Sequence, residues 1–316
     1  MNNAEIEFPI NVEATFSVPI KGNIAGGDPT RKGIPRSDAD YVFSRERLAD
    51  MIVFWNSKRT NAAKLVGDPA AGKTSLVREW HARLNVPLYA YSCNKETTSD
   101  QLIGQFVPKE DGSFYYNYGV VALAAKEGVS VLLDEGNAML PNATLALHML
   151  LEGDPVYIAE TGETIYPAPG FRVYWTENSV SSKLMVAGRY VHDSSSDDRF
   201  FEIKVGYLGR EEEIDVVLKS ISNKMPDEQR RATAAVMVDM ANKVREAYNN
   251  PKSRVVKPLS TRVLRRWAEL AWSYRGVKSK DHMIYALERA FSNVPPDMWT
   301  EMVGIYEGLG TAAEAS

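Results

Sequence analysis

The sequence predicts an α/β sandwich followed by an all-helical C-terminal domain. Three observations carry this. Short apolar runs (NAAKLVG, VPLYAYSC, VSVLLDE, FRVYWTEN) alternate with helical segments up to about residue 206. The runs are nearly unbroken, as in parallel strands covered on both faces. One run leads into GDPAAGKT at 67–74, a glycine-containing loop that opens a helix.

The 316 residues suffice for one large or two smaller domains, and 44% hydrophobic with 25% charged residues is the composition of a protein with a real core. No apolar run reaches the roughly 20 residues of a membrane helix, so no membrane partner is expected. The opening MNNAEIEFPINVEATFSV lacks a basic segment followed by an apolar one, so no signal peptide is expected. Cys93 is the only cysteine, which excludes an intramolecular disulfide and fits a reducing, cytoplasmic location. The net charge of -4 argues against a constitutive nucleic-acid binder. His81, His148, His192 and His282 show no metal-ligand spacing.

In chain order, residues 1–35 alternate polar and apolar and then turn rich in glycine and proline (KGNIAGGDPTRKGIP). An N-terminal extended arm or short hairpin is expected there. Residues 36–206 form the α/β domain. Its first helix, RERLADMIVFWNSKR, repeats apolar residues at Leu48, Ile52 and Trp55. NAAKLVG is a strand, and KTSLVREWHARL is a helix with Leu76, Val77, Trp80 and Leu84 on one face. Three further strands follow. Residues 207–316 are helical: REEEIDVVLKSI, PDEQRRATAAVMVDMANKVREAYNN, STRVLRRWAELAWSYR and KDHMIYALERAFSNV all carry the helical period.

GDPAAGKT matches G-x-x-x-x-G-K-[ST] in full, between a strand and a helix. Backbone N–H groups of Asp68, Pro69's neighbours Ala70 and Ala71, Gly72 and Lys73 can surround a β-phosphate, aided by the helix N-terminus. Gly67 and Gly72 allow backbone geometry that a Cβ would hinder. Lys73 would place a point charge on the β- and γ-phosphates, and the Thr74 hydroxyl, beside Ser75, would ligate Mg²⁺. VSVLLDE ends a buried strand on Asp134 and Glu135. The first would hold Mg²⁺; the second would polarise an attacking water. NKET at 94–97 departs from the guanine-reading N-K-x-D, so ATP is the expected nucleotide.

With these motifs in hand, residues 34–275 resemble the AAA+ ATPases, specifically the MoxR group and its CobS-like branch. IPRSDADYVF is similar to the segment before the first helix in that branch. SDQLIGQFVPKEDGSFYYNYG and DPVYIAETGETIYPAPG resemble the two β-hairpins inserted in the clade. VGYLGREEEIDVV resembles the hinge into the helical lid. The N-terminal arm of the CobS-like proteins is not matched, and DEGN stands where relatives carry a bulkier residue after the acids.

The resemblance implies a P-loop αβα sandwich with inserted hairpins and a small lid, an Mg²⁺-dependent ATPase, and a homo-oligomeric ring, most often a hexamer. It implies that Asn178 in WTEN is sensor 1 and that Arg262 in PLSTRVLRRW is sensor 2, with Arg265 and Arg266 as close alternatives. It also implies that Arg199 in SSSDDRFF is the arginine finger offered to a neighbouring subunit, oriented by Asp198, with Arg189 as rival. The other reading of Arg199 is a solvated loop arginine. Phe114, Tyr115 and Tyr116 either pack on the domain or face the ring axis. The family acts with a separate protein partner carrying a von Willebrand A domain. A cobalt or magnesium chelatase role and a nucleic-acid-acting NTPase are the alternatives; for the latter, Lys95 and Lys109 flank the aromatics.

Overall fold

The computed structural model describes residues 8–178, 197–276 and 281–314. The chain begins with β1 (Pro9–Asn11), α1 (Val12–Phe16) and β2 (Asn23–Ala25). β1 and β2 pair antiparallel, with Ile10 opposite Ile24. Asn11 caps α1 by accepting from Ala14 N at 2.8 Å, and Ser17 ends it in the left-handed region. An extended arm was one of the two sequence expectations for this stretch. The structure instead packs it into the core. Val12, Phe16, Val18 and Ile24 are buried, and Phe16 stacks on Trp80 at 5.4 Å. Trp55 Nε1 donates to Ala25 O at 3.1 Å, pinning the returning strand.

The α/β part comprises α2 (Arg45–Asn56), β3 (Ala62–Gly67), α3 (Lys73–Leu84), β4 (Leu88–Ser92), α4 (Ser99–Leu102), β5 (Gly104–Pro108), β6 (Phe114–Tyr118), α5 (Val120–Glu127), β7 (Ser130–Asp134), α6 (Pro141–Leu145), α7 (His148–Glu152), β8 (Val156–Ile158), β9 (Glu163–Ile165), β10 (Val173–Asn178) and β11 (Phe200–Lys204). Five strands form one parallel sheet in the order β11-β3-β10-β7-β4. Ala62, Ala63, Leu65, Val131, Leu132, Leu133, Val173, Tyr174 and Trp175 are all buried, because helices cover both faces of the sheet.

On one face lie α2, α3 and the N-terminal segment; on the other lie α5 to α7 and the β8–β9 hairpin. The expected face of α3 (Leu76, Val77, Trp80, Leu84) is buried throughout. That of α2 is shifted: Leu48, Met51 and Phe54 are fully buried, whereas Ile52 and Trp55 are half-buried at the border with β2.

The two inserted hairpins form, β5 with β6 and β8 with β9. Tyr116 packs edge-on against Phe106 and Tyr118, while Phe114 and Tyr115 are exposed.

The C-terminal part is helical: α8 (Arg210–Leu218), α9 (Asp227–Asn249), α10 (Thr261–Ser273), α11 (His282–Ala290) and α12 (Pro296–Glu314). They enclose a separate core around Met237, Val244, Leu264, Trp267, Leu287 and Met302. A buried ion pair between Arg245 and Glu213, at 2.7 and 2.8 Å, joins α9 to α8. The link to the sheet is polar. Arg47 donates to Gly206 O and Tyr207 O, and Tyr207 OH donates to Pro69 O at 2.9 Å, in the phosphate loop itself.

Candidate nucleotide site

Residues 67–72 leave the end of β3, and α3 starts at Lys73. The turn needs Gly72, whose φ is 98°. β10 lies beside β3 with Asn178 opposite Gly67, and β7 lies beyond β10. Parallel pairing therefore delivers the loop, the two acids and Asn178 to one end of the sheet, the usual position of a ligand crevice in such folds.

Lys73 is buried, and its Nζ donates to Gly67 O at 2.9 Å, Asp68 O at 2.8 Å and Asn178 Oδ1 at 2.9 Å. A buried ammonium needs such partners. Thr74 Oγ1 donates to Asp134 Oδ1 at 2.6 Å. This pair of hard oxygen donors suits Mg²⁺, which takes one or two protein oxygens and fills its octahedron with phosphates and water. Among the described residues no cluster of three or more His, Cys, Asp or Glu would hold a metal unaided.

A residue without a sequence signature completes this corner. Thr176, almost fully buried, donates to the same Asp134 oxygen at 2.6 Å and accepts from Glu135 N at 3.0 Å. It lies two residues before Asn178 on β10, so both side chains point to the same face of the sheet.

Glu135 itself has φ 56° and ψ 40°. A non-glycine residue there costs on the order of 1 kcal/mol or more, and such strain is characteristic of functional positions. The next residue, Gly136, has no room for a side chain: a Cβ there would lie 2.2 Å from Trp175 Cε2.

These groups open into a cavity of about 780 Å³. Its lining includes the apolar Val42, Leu208 and Val216 and the cationic Arg36 and Arg78, together with three arginines of α10. Arg262, Arg265 and Arg266 all line it, so the three candidates from the sequence come together. They are not equivalent. Arg265 is paired with Asp38 at 3.0 Å, whereas Arg262 and Arg266 are exposed. Partial burial pushes the Asp38 carboxyl up, but the Arg265 hydrogen bond and charge outweigh it and hold it below its ordinary range.

Arg199 lies elsewhere. It lines a second hollow of about 450 Å³ with Arg59, Asn61, Glu152, Asp154 and Asp198, and not the nucleotide cavity. Its Nε lies 2.5 Å from a carboxylate oxygen of Glu152 of α7, a partner the sequence did not suggest, and Asp198 lines the same hollow. The rival Arg189 lies outside the described residues.

The model of the AAA domain (dynein-related subfamily) matches residues 64–191, the stretch that carries the phosphate loop, the acids and Asn178. Protein NorQ of Paracoccus denitrificans is 27% identical over 187 residues, covering 59% of this chain and 64% of NorQ. The denitrification regulatory protein NirQ of Stutzerimonas stutzeri is 24% identical over 245 residues, covering 77% of this chain and 83% of NirQ. Midasin of Dictyostelium discoideum is 25% identical over 212 residues, 67% of this chain. The chain spans only 4% of that midasin's length and just under two thirds of NorQ's. No described helix is long and apolar enough to cross a membrane. The phosphate loop on β3 and the acids ending β7 agree with the match of residues 64–191 to the AAA domain of the dynein-related subfamily and with the likeness of the chain to NorQ and NirQ.

Proposed function

We propose that the protein hydrolyses ATP with Mg²⁺ and does so as a ring, a hexamer, that remodels or activates a separate protein partner. In this reading the phosphate loop, Gly67, Asp68, Pro69, Ala70, Ala71, Gly72, Lys73, Thr74 and Ser75, cradles the phosphates. Thr74 and Asp134 would hold Mg²⁺, which would supply positive charge against the phosphates. Asn178 orients the attacking water and Glu135 accepts its proton. The water oxygen bonds to the γ-phosphorus as the bond to the bridging oxygen breaks, and ADP leaves. Arg262 draws the helical lid onto the phosphates.

One observation carries the ring: Arg199 is outside its own nucleotide cavity, in a hollow of its own. An arginine so placed serves catalysis only from a neighbouring subunit, through a head-to-tail interface that closes into a ring. The name of NirQ, a denitrification regulatory protein, supports an accessory role toward another protein. A von Willebrand A domain protein is the partner class implied by the MoxR type, and the 34–43 segment favours the CobS-like branch.

The test is subunit mixing. Arg199→Ala binds ATP normally but turns it over at least 100-fold more slowly, as loss of a finger worth roughly 10³- to 10⁵-fold demands. Adding Lys73→Ala subunits, inactive but with an intact Arg199, restores part of the turnover. Normal hydrolysis by Arg199→Ala alone refutes the ring reading.

A further inference from the structure

Lys64 is out of place by composition. It stands in β3, between two strands of a parallel sheet and among Ala62, Ala63 and Leu65, and it is only 5% exposed. A buried ammonium needs charged or hydrogen-bonding partners. Here three carboxylates meet it. Asp197 Oδ1 lies 2.8 Å from Nζ, and Glu177 Oε1 and Glu202 Oε2 lie at 3.8 Å. Burial lowers the lysine's proton affinity, but these three acids outweigh it and raise it above the ordinary lysine value.

The positions of the three acids matter more than their number. Glu177 is the residue before Asn178 and lines the nucleotide cavity. Its other oxygen accepts from Trp175 Nε1 at 3.3 Å. Asp197 lies two residues before Arg199, and Glu202 lies three after it. Between them, the Phe200 ring has its centroid 5.9 Å from Lys64 Nζ and 5.6 Å from the Trp175 ring. One ammonium therefore grips the chain on both sides of Arg199 and, from the same point, the strand end that presents Asn178.

We infer that Lys64 is a positioning residue that fixes Arg199 relative to the Asn178 end of β10, so that the edge a subunit offers its neighbour is registered against its own nucleotide site. The inference rests on the reading of Arg199 as a finger acting in trans. Neither Lys64 nor Asp197 lines the nucleotide cavity, so nucleotide affinity is not expected to depend on either. Displacing a catalytic group by about 1 Å costs on the order of 100-fold in rate.

The experiment uses the full chain, with Lys64→Met, which keeps the aliphatic stem, Lys64→Arg, which keeps the charge, and Asp197→Asn on the half-exposed partner. The readouts are affinity for a fluorescent ATP analogue, kcat and KM for ATP, and mixing with Lys73→Ala. Lys64→Met and Asp197→Asn are expected to bind the analogue within about 2-fold of the parent protein while kcat falls 10- to 100-fold. Lys64→Arg recovers most of kcat. Lys73→Ala subunits, which supply a correctly held Arg199, raise turnover in Lys64→Met mixtures above the sum of the two alone. Should Lys64→Met fail to fold, Asp197→Asn carries the same expectations, since its side chain is 46% exposed. Parent-like kcat in Asp197→Asn, or a kcat loss that Lys73→Ala subunits do not relieve, overturns the inference. Failure of the trans-finger reading is seen separately, as normal turnover by Arg199→Ala in the same assay.

Discussion

Lys73 Nζ donates to Asn178 Oδ1 at 2.9 Å, across the boundary between the phosphate loop and β10. The two groups that would meet a γ-phosphate are thus already in register. Replacing Asn178 by Ala leaves nucleotide affinity nearly unchanged and lowers kcat by roughly 100-fold, the usual cost of one positioned polar group. Asn178→Asp does more. A carboxylate facing Lys73 stabilises the ammonium without ligand and repels the phosphate, so affinity for ATP falls as well. Isothermal titration alongside steady-state kinetics separates the two effects.

Thr176 bridges Asp134 Oδ1 and the Glu135 N–H. Thr176→Val keeps the shape and removes both bonds. The Mg²⁺ concentration giving half-maximal turnover is expected to rise about 10-fold, equivalent to roughly 1.4 kcal/mol. Thr176→Ser restores the parent value. An unchanged Mg²⁺ dependence in Thr176→Val would falsify the role assigned to this threonine.

Gly136→Ala forces a methyl group against the Trp175 indole. Overpacking of this kind costs about 1–3 kcal/mol. The melting temperature should drop, and turnover should drop with it, because Glu135 is the preceding residue. In a Trp175→Val background, itself less stable because a fully buried indole is lost, adding Gly136→Ala should cost less than it does in the parent. If Gly136→Ala costs as much in both backgrounds, the indole is not the obstacle.

His81 lies inside α3, fully buried, with its ring edge-on to Tyr174 at 5.0 Å and its Nδ1 2.8 Å from Val77 O. Burial pushes its pKa down from 6.5 to about 4, against the opposing hydrogen bond to Val77. Between about pH 6.5 and 4 the unfolded chain binds a proton that the folded chain refuses. Stability therefore falls as pH drops through that window, by on the order of 1 kcal/mol per pH unit. Above pH 6.5 the group contributes no pH dependence. Denaturant melts of His81→Phe against the parent at pH 7 and pH 5 measure this; the variant should lose less stability on acidification.

Much of the nucleotide site was legible in the linear chain. GDPAAGKT and the Asp134–Glu135 pair are local signals, since each needs only a strand end and a few residues of fixed type, whereas Asn178 was singled out only by the family resemblance. The helical periods after 207 and the apolar strands before it report burial directly. Thr176 has no signature of its own, because its partners come from the end of one other strand, β7, 41 and 42 residues away in the chain. On α2 the fully buried face is Leu48, Met51 and Phe54, while Trp55 lies at the edge of the core and bonds Ala25, 30 residues away, a contact no local period reports.

By itself, then, the sequence determined the α/β class, the loop that can cradle phosphates and the acids that face it, because these depend on short-range backbone rules. Only the tertiary structure decided who holds Arg199, that residues 8–27 belong to the core, and that Lys64 is buried among three acids. The physical reason is common to all three. Desolvation and ion pairing depend on which distant segments meet, and that is set by the packing of the sheet and its helices, not by any neighbour in the chain.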